Sequence, residues 1–412
     1  MPYTVYILGI TIFSLGTSEF MIAGMIPSLT SALNISITQA GHLISFYAAG
    51  MVAGGPLLTV CLLRMHTPNK PALLWLLGFY AAAQSVAALS DSYLLMSLAR
   101  VMTGMIGGAC FGVALAICAE VVEAGQRGRA ASIVLGGLML ATVMGVPIAT
   151  LIDQNIGWRF SFWLIVVLAI VCASVIAIGV PRTRRTSAPV SLNQELTEFK
   201  NPHLWAAYSS SALIIGATFA AFSYFTPILL EVSGLPATAI PWLLMGYGIT
   251  NMAGNAIVGR YADRHTFLVM VCGLSLLITA LVIFALLAEN AAVSIAMMLV
   301  IGLTGITLNP AMTARVMQTA RPGALVNTMH ASIINIGLGS GTWLGGMGIA
   351  LGYGLHTPLW IGAGLAVAGL VSLAPYIMKN RFTTPTIINH SPPVFSTRFS
   401  PGRAYEHRKP CR

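Results

Sequence analysis

Two ionisable residues stand inside segments that are otherwise apolar, and they are the side chains best suited to chemistry in this chain. Glu19 follows the uncharged run "YTVYILGITIFSL" and lies within "GTSEFMIAGMIP". Arg100 lies about seven residues into the apolar run that begins near Tyr93. A carboxyl group away from water can bind and release a proton, and a nearby guanidinium group can stabilise its ionised form. The two residues therefore predict a proton-handling site.

The composition shows what must surround these charges. Of the 412 residues, 57% are hydrophobic and only 8% are charged, whereas soluble domains carry about 25% charged residues. Apolar runs of about 20 residues, the length that crosses a bilayer, recur along the chain. The sequence predicts an all-α polytopic membrane protein. Its twelve expected spans cover residues 4–27, 39–63, 71–90, 93–118, 129–153, 159–181, 204–229, 239–261, 266–288, 291–316, 326–352 and 356–378.

Basic residues set the expected orientation, because Lys and Arg favour the cytoplasmic side of a membrane. All of them except Arg100 and Arg159 lie in or beside the loops and the tail that would face the cytoplasm. We expect Arg159 to pair with Asp153 at the outer surface. The chain is therefore expected in the bacterial inner (plasma) membrane with both termini in the cytoplasm. The net charge of +10 follows from this bias and argues against nucleic-acid binding, because no folded domain carries it.

A sequence duplication divides the twelve spans into two sets of six. A shift of 200 residues aligns identical residues in three separated regions, including Pro27 with Pro227 and Tyr47 with Tyr247. Two six-span halves related by an axis along the membrane normal are typical of transporters whose halves rock against each other. The expected domains are an N-terminal half (1–181), a cytoplasmic linker (182–203), a C-terminal half (204–378) and a disordered basic tail (379–412).

The sequence contains no pattern for covalent chemistry. No G-x-x-x-x-G-K-[ST] phosphate-binding loop occurs, and none of the six cysteines has metal-ligand spacing. We therefore expect that the protein is not an enzyme and that it has no metal or cofactor. Any uphill transport would use an ion gradient or exchange of solutes.

Several motifs resemble those of one transporter family. The segment "GRYADRH" (Gly259 to His265) resembles a G-x-x-x-D-R loop, and "RVMTGMIGGA" from Arg100 resembles an R-x-x-x-G motif. The segment "LGGLMLATVMGVPIAT" resembles a glycine- and proline-bearing antiporter motif. Over about residues 3–378 the chain is similar to the major facilitator superfamily, in its twelve-span drug:proton antiporter branch. The N-terminal "VYILGITIFSLGTSEFMIAGMIPSL" is most like the chloramphenicol exporters of that branch.

The resemblance implies roles for two further groups of residues. The gating residues would be Arg64, Gly259, Asp263 and Arg264. The repeat places Leu63 at the position of Asp263, so we expect the gate of the first half to be weaker or held by other contacts. The antiporter-motif residues Gly137, Gly145 and Pro147 would shape the packing of their span, because small residues let helices approach closely.

Glu19 and Arg100 are expected at similar depths, ~12 Å and ~11 Å below the outer boundary at 1.5 Å per residue. In the family fold the first and fourth spans line one cavity, so the two side chains would pair directly or through water. Intramembrane charges are costly and usually mark function. The alternative is a static ion pair that only holds two spans together. Because the repeat puts Phe219 at the position of Glu19, the fold itself does not require an acid there.

The segment "TFAAFSYFTP" suggests a wall for a substrate. Helical spacing places Phe219 and Phe222 on nearly one face, with Phe225 beyond them. We expect these rings to contact an amphipathic drug, with Tyr47 and Asn309 as polar neighbours. The alternative is that the rings only pack against other helices or lipid.

The sequence predicts a monomeric exporter that uses protons to move a small amphipathic drug, chloramphenicol or a similar compound, across the bilayer by alternating access, conferring resistance. Export of a sugar or a nucleoside by the same fold is the close alternative. A membrane sensor that transports nothing is the alternative from another class.

Overall fold

Helices of bilayer length make up the fold, as the apolar runs predict. The computed structural model describes residues 1–65, 67–123, 126–180, 197–262, 264–320 and 324–382, and these ranges contain no β-strand. Nine of their helices are long and apolar enough to cross a membrane, and the bent pair in span 1 adds a tenth. Two further helices, Ile240–Tyr261 and Ala324–Ala350, have bilayer length but more glycine and polar residues.

Twelve spans follow one another in the order that the sequence predicts, within the described ranges. The first six are Tyr3–Phe20 with Ile22–Leu33, Ile37–Arg64, Asn69–Ala88, Tyr93–Val121, Arg127–Leu140 with Ala141–Gly145 and Val146–Ile156, and Trp158–Gly179. Spans 7 to 12 are Pro202–Phe222 with Phe225–Pro227 and Ile228–Val232, Ile240–Tyr261, Thr266–Leu287, Ala291–Thr304 with Ile306–Leu308 and Asn309–Thr319, Ala324–Ala350, and Thr357–Phe382. Span 1 therefore continues beyond its predicted end, because Pro27 lies inside its second helix rather than after it.

Proline accounts for two of the irregular spans. A proline inside a span cannot donate the backbone hydrogen bond that the helix needs, and a local π-helical turn can absorb the change. Span 5 has such a turn at Ala141–Gly145, directly before the helix that carries Pro147. Span 7 has one at Ile228–Val232, directly after Pro227. Each irregular turn has buried residues on one side, Ala141, Thr142 and Gly145 in span 5 and Ile228 and Leu229 in span 7, and non-helical backbone is tolerated where it is buried in protein.

The spans pack in the same order in both sets of six. Span 1 packs on span 5 and span 7 on span 11, while span 2 packs on span 4 and span 8 on span 10. Between the two sets, span 2 contacts span 11 and span 8 contacts span 5. This symmetric arrangement is the one that the 200-residue repeat predicts.

The two ends of the bundle differ in charge. We call the end that carries Arg64, Arg127 and Arg260 the basic end. The other end, where spans 1 and 2 meet at Asn34, is called the opposite end. Apart from glycines, Asn34 is the single described residue with a positive φ, 53°, a conformation that asparagine tolerates at the end of a helix. Residues 182–196 of the predicted linker and 383–412 of the predicted tail lie outside the described ranges.

Candidate functional site

The site is built around a break in span 1. The two helices of this span meet at Met21 with a bend of 46°. The last four carbonyl groups of a helix have no partner within that helix. One of them, on Thr17, accepts a hydrogen bond from the Met21 amide at 2.9 Å. The carbonyls of Ser18 and Glu19 therefore need donors from elsewhere in the bundle.

Arg100 supplies those donors. Its Nη1 donates to the Ser18 carbonyl at 2.9 Å, and its Nη2 donates to the Glu19 carbonyl at 3.3 Å. Its Nε donates to the Leu43 carbonyl of span 2 at 3.3 Å. The side chain is fully buried. A cation at the carboxyl end of a helix is favourable because the free carbonyls carry partial negative charge there.

The Glu19 carboxylate is buried beside Arg100 but is not hydrogen-bonded to it. Glu19 is 5% exposed, and its carboxylate accepts no hydrogen bond from any described residue. The Arg159 guanidinium forms an ion pair with Asp91 at 2.6 Å, whereas no ion pair within 4.0 Å joins Glu19 to Arg100. The predicted direct pairing of Glu19 with Arg100 is thus absent from this conformation, although their charges are close enough to interact. The guanidinium is committed to the backbone, which leaves the carboxylate available.

Three polar side chains complete this part of the site, and the sequence analysis named only one of them. The Arg100 guanidinium lies 4.4 Å above the centre of the Tyr47 ring, a cation–π contact. The Gln84 amide donates to the Ser18 hydroxyl and, at 3.4 Å, to the Tyr80 hydroxyl. Tyr47, Tyr80 and Gln84 are all buried. The one sequence signal for Gln84 was an amide side chain inside an apolar span.

The three phenylalanines of span 7 form a continuous buried cluster. The ring centres of Phe219 and Phe222 are 5.5 Å apart, and those of Phe222 and Phe225 are 5.9 Å apart. Tyr247 of span 8 stacks on Phe222 at 5.0 Å. Phe20 contacts Phe219 at 5.7 Å and Phe222 at 6.3 Å. Because Phe20 follows Glu19 directly, it joins the aromatic cluster to the charged part of the site.

The two predicted polar neighbours of this cluster make their described contacts with other residues. Tyr47 lies under Arg100, in the first set of spans. Asn309 begins the last helix of span 10, and its side-chain carbonyl accepts a hydrogen bond from Thr313 at 3.5 Å. No described ring contact or hydrogen bond joins either residue to the span 7 phenylalanines. Tyr247, the repeat equivalent of Tyr47, takes the place expected for Tyr47.

The predicted pair of Asp153 and Arg159 is also absent. Asp153 is buried and accepts a hydrogen bond from the Ser28 hydroxyl at 2.7 Å. Arg159 reaches across to Asp91, between spans 3 and 4, at 2.6 Å. The reversal of the chain at Gly157 separates the two side chains, so closeness in sequence does not bring them together.

Comparison with known proteins identifies the family. The sequence model of the Major Facilitator Superfamily matches residues 8–330. The chain belongs to the Major Facilitator Superfamily. The chloramphenicol resistance protein of Streptomyces lividans is 31% identical over 402 residues, which cover 97% of this chain and 100% of that protein. The uncharacterised transporter YtbD of Bacillus subtilis is 33% identical, over 91% of this chain and 95% of that protein.

Solved structures confirm the major facilitator fold. A bacterial homologue of the human lysosomal transporter Spinster, in an inward-facing and occupied conformation, matches with a TM-score of 0.71. The match covers 92% of this chain and 97% of that structure at 14% identity. The protein is therefore a multi-pass membrane protein with the fold of transporters, as the sequence motifs predict.

The residues predicted to form an antiporter motif, Gly137, Gly145 and Pro147, lie where spans 1 and 5 touch. A Cβ atom on Gly137 would collide with the carbonyl of Gly9 and would lie 2.9 Å from the amide nitrogen of Phe13. A Cβ atom on Gly145 would collide with the side chain of Thr17. Pro147 is buried in the first turn of the following helix. The glycines thus let span 5 approach span 1 closely in the turns that precede the break at Met21, next to Glu19.

The gating motif lies only partly within the described residues. Arg64 is exposed in the last turn of span 2. Gly259 and Arg264 are exposed at the end of span 8, and Asp263 lies outside the described residues. The structure therefore places Arg64, Gly259 and Arg264 at the basic end, and the gating role of the motif stays a prediction.

Contacts between the two sets of spans concentrate at the opposite end. Four hydrogen bonds between side chains and carbonyls, each 2.7 to 2.9 Å long, join the two sets in the described ranges. They run from Thr38 to Gly346, from Ser45 to Gly339, from Gln154 to Ala237 and from Thr226 to Ala23. The described conformation is therefore closed at the opposite end of the facilitator.

Proposed function

We propose that this transporter exports a small amphipathic drug, chloramphenicol or a similar compound, in exchange for protons. Transport proceeds by alternating access and confers resistance, without covalent chemistry and without a metal or cofactor. The transporter works as a monomer in the bacterial inner membrane. Support for the drug comes from the Streptomyces lividans relative, which aligns with nearly the whole chain.

The observation that carries the proposal is the state of the Glu19 carboxylate. It is 95% buried next to Arg100, yet it accepts no hydrogen bond from any described residue. A buried carboxylate with no hydrogen bond is costly, and binding a proton removes its charge. A static ion pair would instead show the two side chains bonded to each other. We therefore assign proton exchange to Glu19, with Arg100 stabilising the ionised form.

The contacts between the halves support a conformation in which the drug site is reached from the cytoplasm. The basic end would face the cytoplasm, because Lys and Arg favour that side, and both termini would lie there. The hydrogen bonds at the opposite end then hold the outer side closed. In this conformation the transporter would accept drug from the cytoplasm. Arg64, Gly259, Asp263 and Arg264 would form the cytoplasmic gate that closes in the next step.

The test is chloramphenicol accumulation in cells that lack their own efflux pumps. Wild type should lower accumulation, a protonophore should abolish the effect, and Glu19→Gln should match the empty vector. The matched control is Glu231→Gln, which makes the same chemical change at an exposed position of span 7 and should export normally. Full export by Glu19→Gln would show that another group couples protons.

The same experiment separates the alternatives. If wild type accumulates as much chloramphenicol as the empty vector, the drug is not the cargo, and uptake assays with sugars and nucleosides decide between the polar solutes. Failure to move any solute in proteoliposomes would favour a sensor.

A further inference from the structure

Three polar atoms in the middle of span 8 are buried without hydrogen-bond partners. They are both amide atoms of Asn251 and the hydroxyl oxygen of Tyr247; the two side chains lie near each other, one helical turn apart, but no contact between them has hydrogen-bond geometry. Asn251 is fully buried and Tyr247 is 1% exposed. Leaving a buried polar group unpaired destabilises a protein, so proteins rarely keep several such groups together without a purpose.

These atoms lie between the aromatic cluster and the contact of spans 5 and 8. Tyr247 packs on Phe222 at 5.0 Å and on Phe225 at 5.7 Å. Gly248 faces span 5, where an added Cβ atom would lie 2.6 Å from the Cα of Val143. At 100° per residue, Asn251 points about 40° from Tyr247 and about 60° from Gly248. Its amide group is therefore directed toward the junction of the two halves.

From this placement we infer that Asn251 and Tyr247 form a hydrogen-bonding subsite for the uncharged polar groups of the transported solute. The proposal extends the proposed function by adding two residues of span 8 to the drug site. The drug enters from the basic end, the subsite opens as the halves move and spans 5 and 8 separate, and the solute then satisfies the atoms that are unpaired in this conformation.

The chemistry of the subsite selects the class of solute. An amide both donates and accepts hydrogen bonds, and so does a phenol hydroxyl. The described residues that contact Tyr247 and Gly248 are aromatic or uncharged, namely Phe222, Phe225 and Thr142 with Val143. A neutral solute with an aromatic ring and both hydroxyl and carbonyl groups fits this surface. Chloramphenicol has these groups.

The first test measures the kinetics of transport. Asn251→Leu keeps a similar volume but removes both polar atoms. Losing a hydrogen bond to a neutral group should raise the KM for chloramphenicol about three- to tenfold while kcat stays unchanged. Asn255→Leu makes the same change one turn further along span 8, at a half-buried position, and should leave KM unchanged. An unchanged KM for Asn251→Leu, with the drug still exported, would overturn the subsite.

The second test does not depend on chloramphenicol being the cargo. Asn251→Cys, in a variant whose six native cysteines are replaced, should react with N-ethylmaleimide in membranes, because the subsite opens to water. Met252→Cys is the control: Met252 is 47% exposed on the outer, lipid-facing side of span 8 and should stay unlabelled. The solutes tested for protection of the cysteine are chloramphenicol, uridine and lactose.

The outcomes separate the two proposals. If chloramphenicol protects the cysteine from N-ethylmaleimide, both the subsite and the export of the drug are supported. Protection by uridine or lactose alone supports the subsite and contradicts the drug. A cysteine that stays unlabelled overturns the subsite even if export is intact. A cysteine that is labelled but protected by none of the three overturns the subsite, because position 251 is then reached by water and not covered by solute.

Discussion

Arg100 and Glu19 meet through the backbone, because the guanidinium donates to the Glu19 carbonyl at 3.3 Å and not to its carboxylate. The guanidinium thereby acts as the cap of a broken helix inside the bilayer. Its other donors bind the carbonyls of Ser18 and Leu43, so one side chain connects spans 1, 2 and 4. This arrangement fixes the backbone at the break in span 1, while the Glu19 carboxylate stays available to bind a proton.

Replacing Arg100 should therefore destabilise the fold as well as stop transport. In Arg100→Gln, the carbonyls of Ser18 and Glu19 at the helix break lose their donors, and each unpaired group costs about 1–3 kcal/mol. We expect the free energy of unfolding to fall by about 3 kcal/mol, measured by unfolding in detergent. Glu19→Gln should leave it nearly unchanged.

A double variant distinguishes this capping role from a side-chain ion pair. If Arg100 served mainly to neutralise the Glu19 carboxylate, Glu19→Gln would restore the stability lost in Arg100→Gln. We expect no such restoration, because the orphaned carbonyls remain. A double variant as stable as wild type would refute the capping role.

Glu19→Gln should separate exchange from gradient-driven export. The amide cannot bind or release a proton, so a pH gradient should no longer drive the drug uphill. Exchange of labelled for unlabelled chloramphenicol across proteoliposomes needs no net proton movement and should continue. If exchange stopped together with export, Glu19 would be required for the motion of the halves rather than for proton coupling.

Neighbouring glycines in span 5 offer a matched pair of variants. Gly137→Ala should push spans 1 and 5 apart, because the new Cβ would meet the backbone of Gly9 and Phe13. Gly136 has no neighbouring atom within 4 Å of an added Cβ. Gly136→Ala should be neutral or stabilise the helix by about 0.5–1 kcal/mol.

The measurement for these glycines is the unfolding midpoint in detergent, with expression level as a second readout. We expect the unfolding midpoint to fall clearly in Gly137→Ala and not in Gly136→Ala. Equal midpoints for the two variants would show that the close approach of spans 1 and 5 carries little energy.

Thr226→Val should weaken the closure at the opposite end. The buried Thr226 hydroxyl donates to the Ala23 carbonyl at 2.7 Å, across the halves. Loss of this bond should increase the population of the conformation that is open at the opposite end about fivefold, relative to the closed one. This is the change expected for a net hydrogen bond of about 1 kcal/mol. Hydrogen–deuterium exchange of amides at the opposite end should rise accordingly.

The control for this variant is Thr279→Val. The Thr279 hydroxyl bonds to the Ser275 carbonyl within span 9, on an exposed face. Its removal should not change exchange at the opposite end. A rise in both variants would point to general destabilisation rather than to weaker closure.

Much of the fold could be predicted from the sequence, because the apolar runs mark the spans and the repeat marks their symmetry. It also placed Glu19 and Arg100 at one depth. The break at Met21 could not be predicted, since neither Gly nor Pro stands there and Pro27 lies within a continuous helix. The Arg100 contacts were missed because backbone carbonyls have no sequence signature.

Other side chains needed the three-dimensional structure for a different reason. Phe20 and Tyr247 look like ordinary apolar residues of spans, and only the meeting of spans 1, 7 and 8 reveals their contacts with Phe222. Asn309 was expected beside these rings, but its described side-chain hydrogen bond comes from Thr313 in its own helix. Contacts between spans far apart in sequence depend on helix rotation, which hydropathy does not determine.

The contact of Gly248 with span 5 has a mechanical consequence. Here the backbone of one half rests almost directly on the Thr142 and Val143 backbone of the other, about 12 Å along span 8 from its start. Because Gly248 contributes no side chain, a small rotation at this point displaces little. The two halves can therefore part at this contact, as the opening of the Asn251 subsite requires, without first disengaging interlocked side chains.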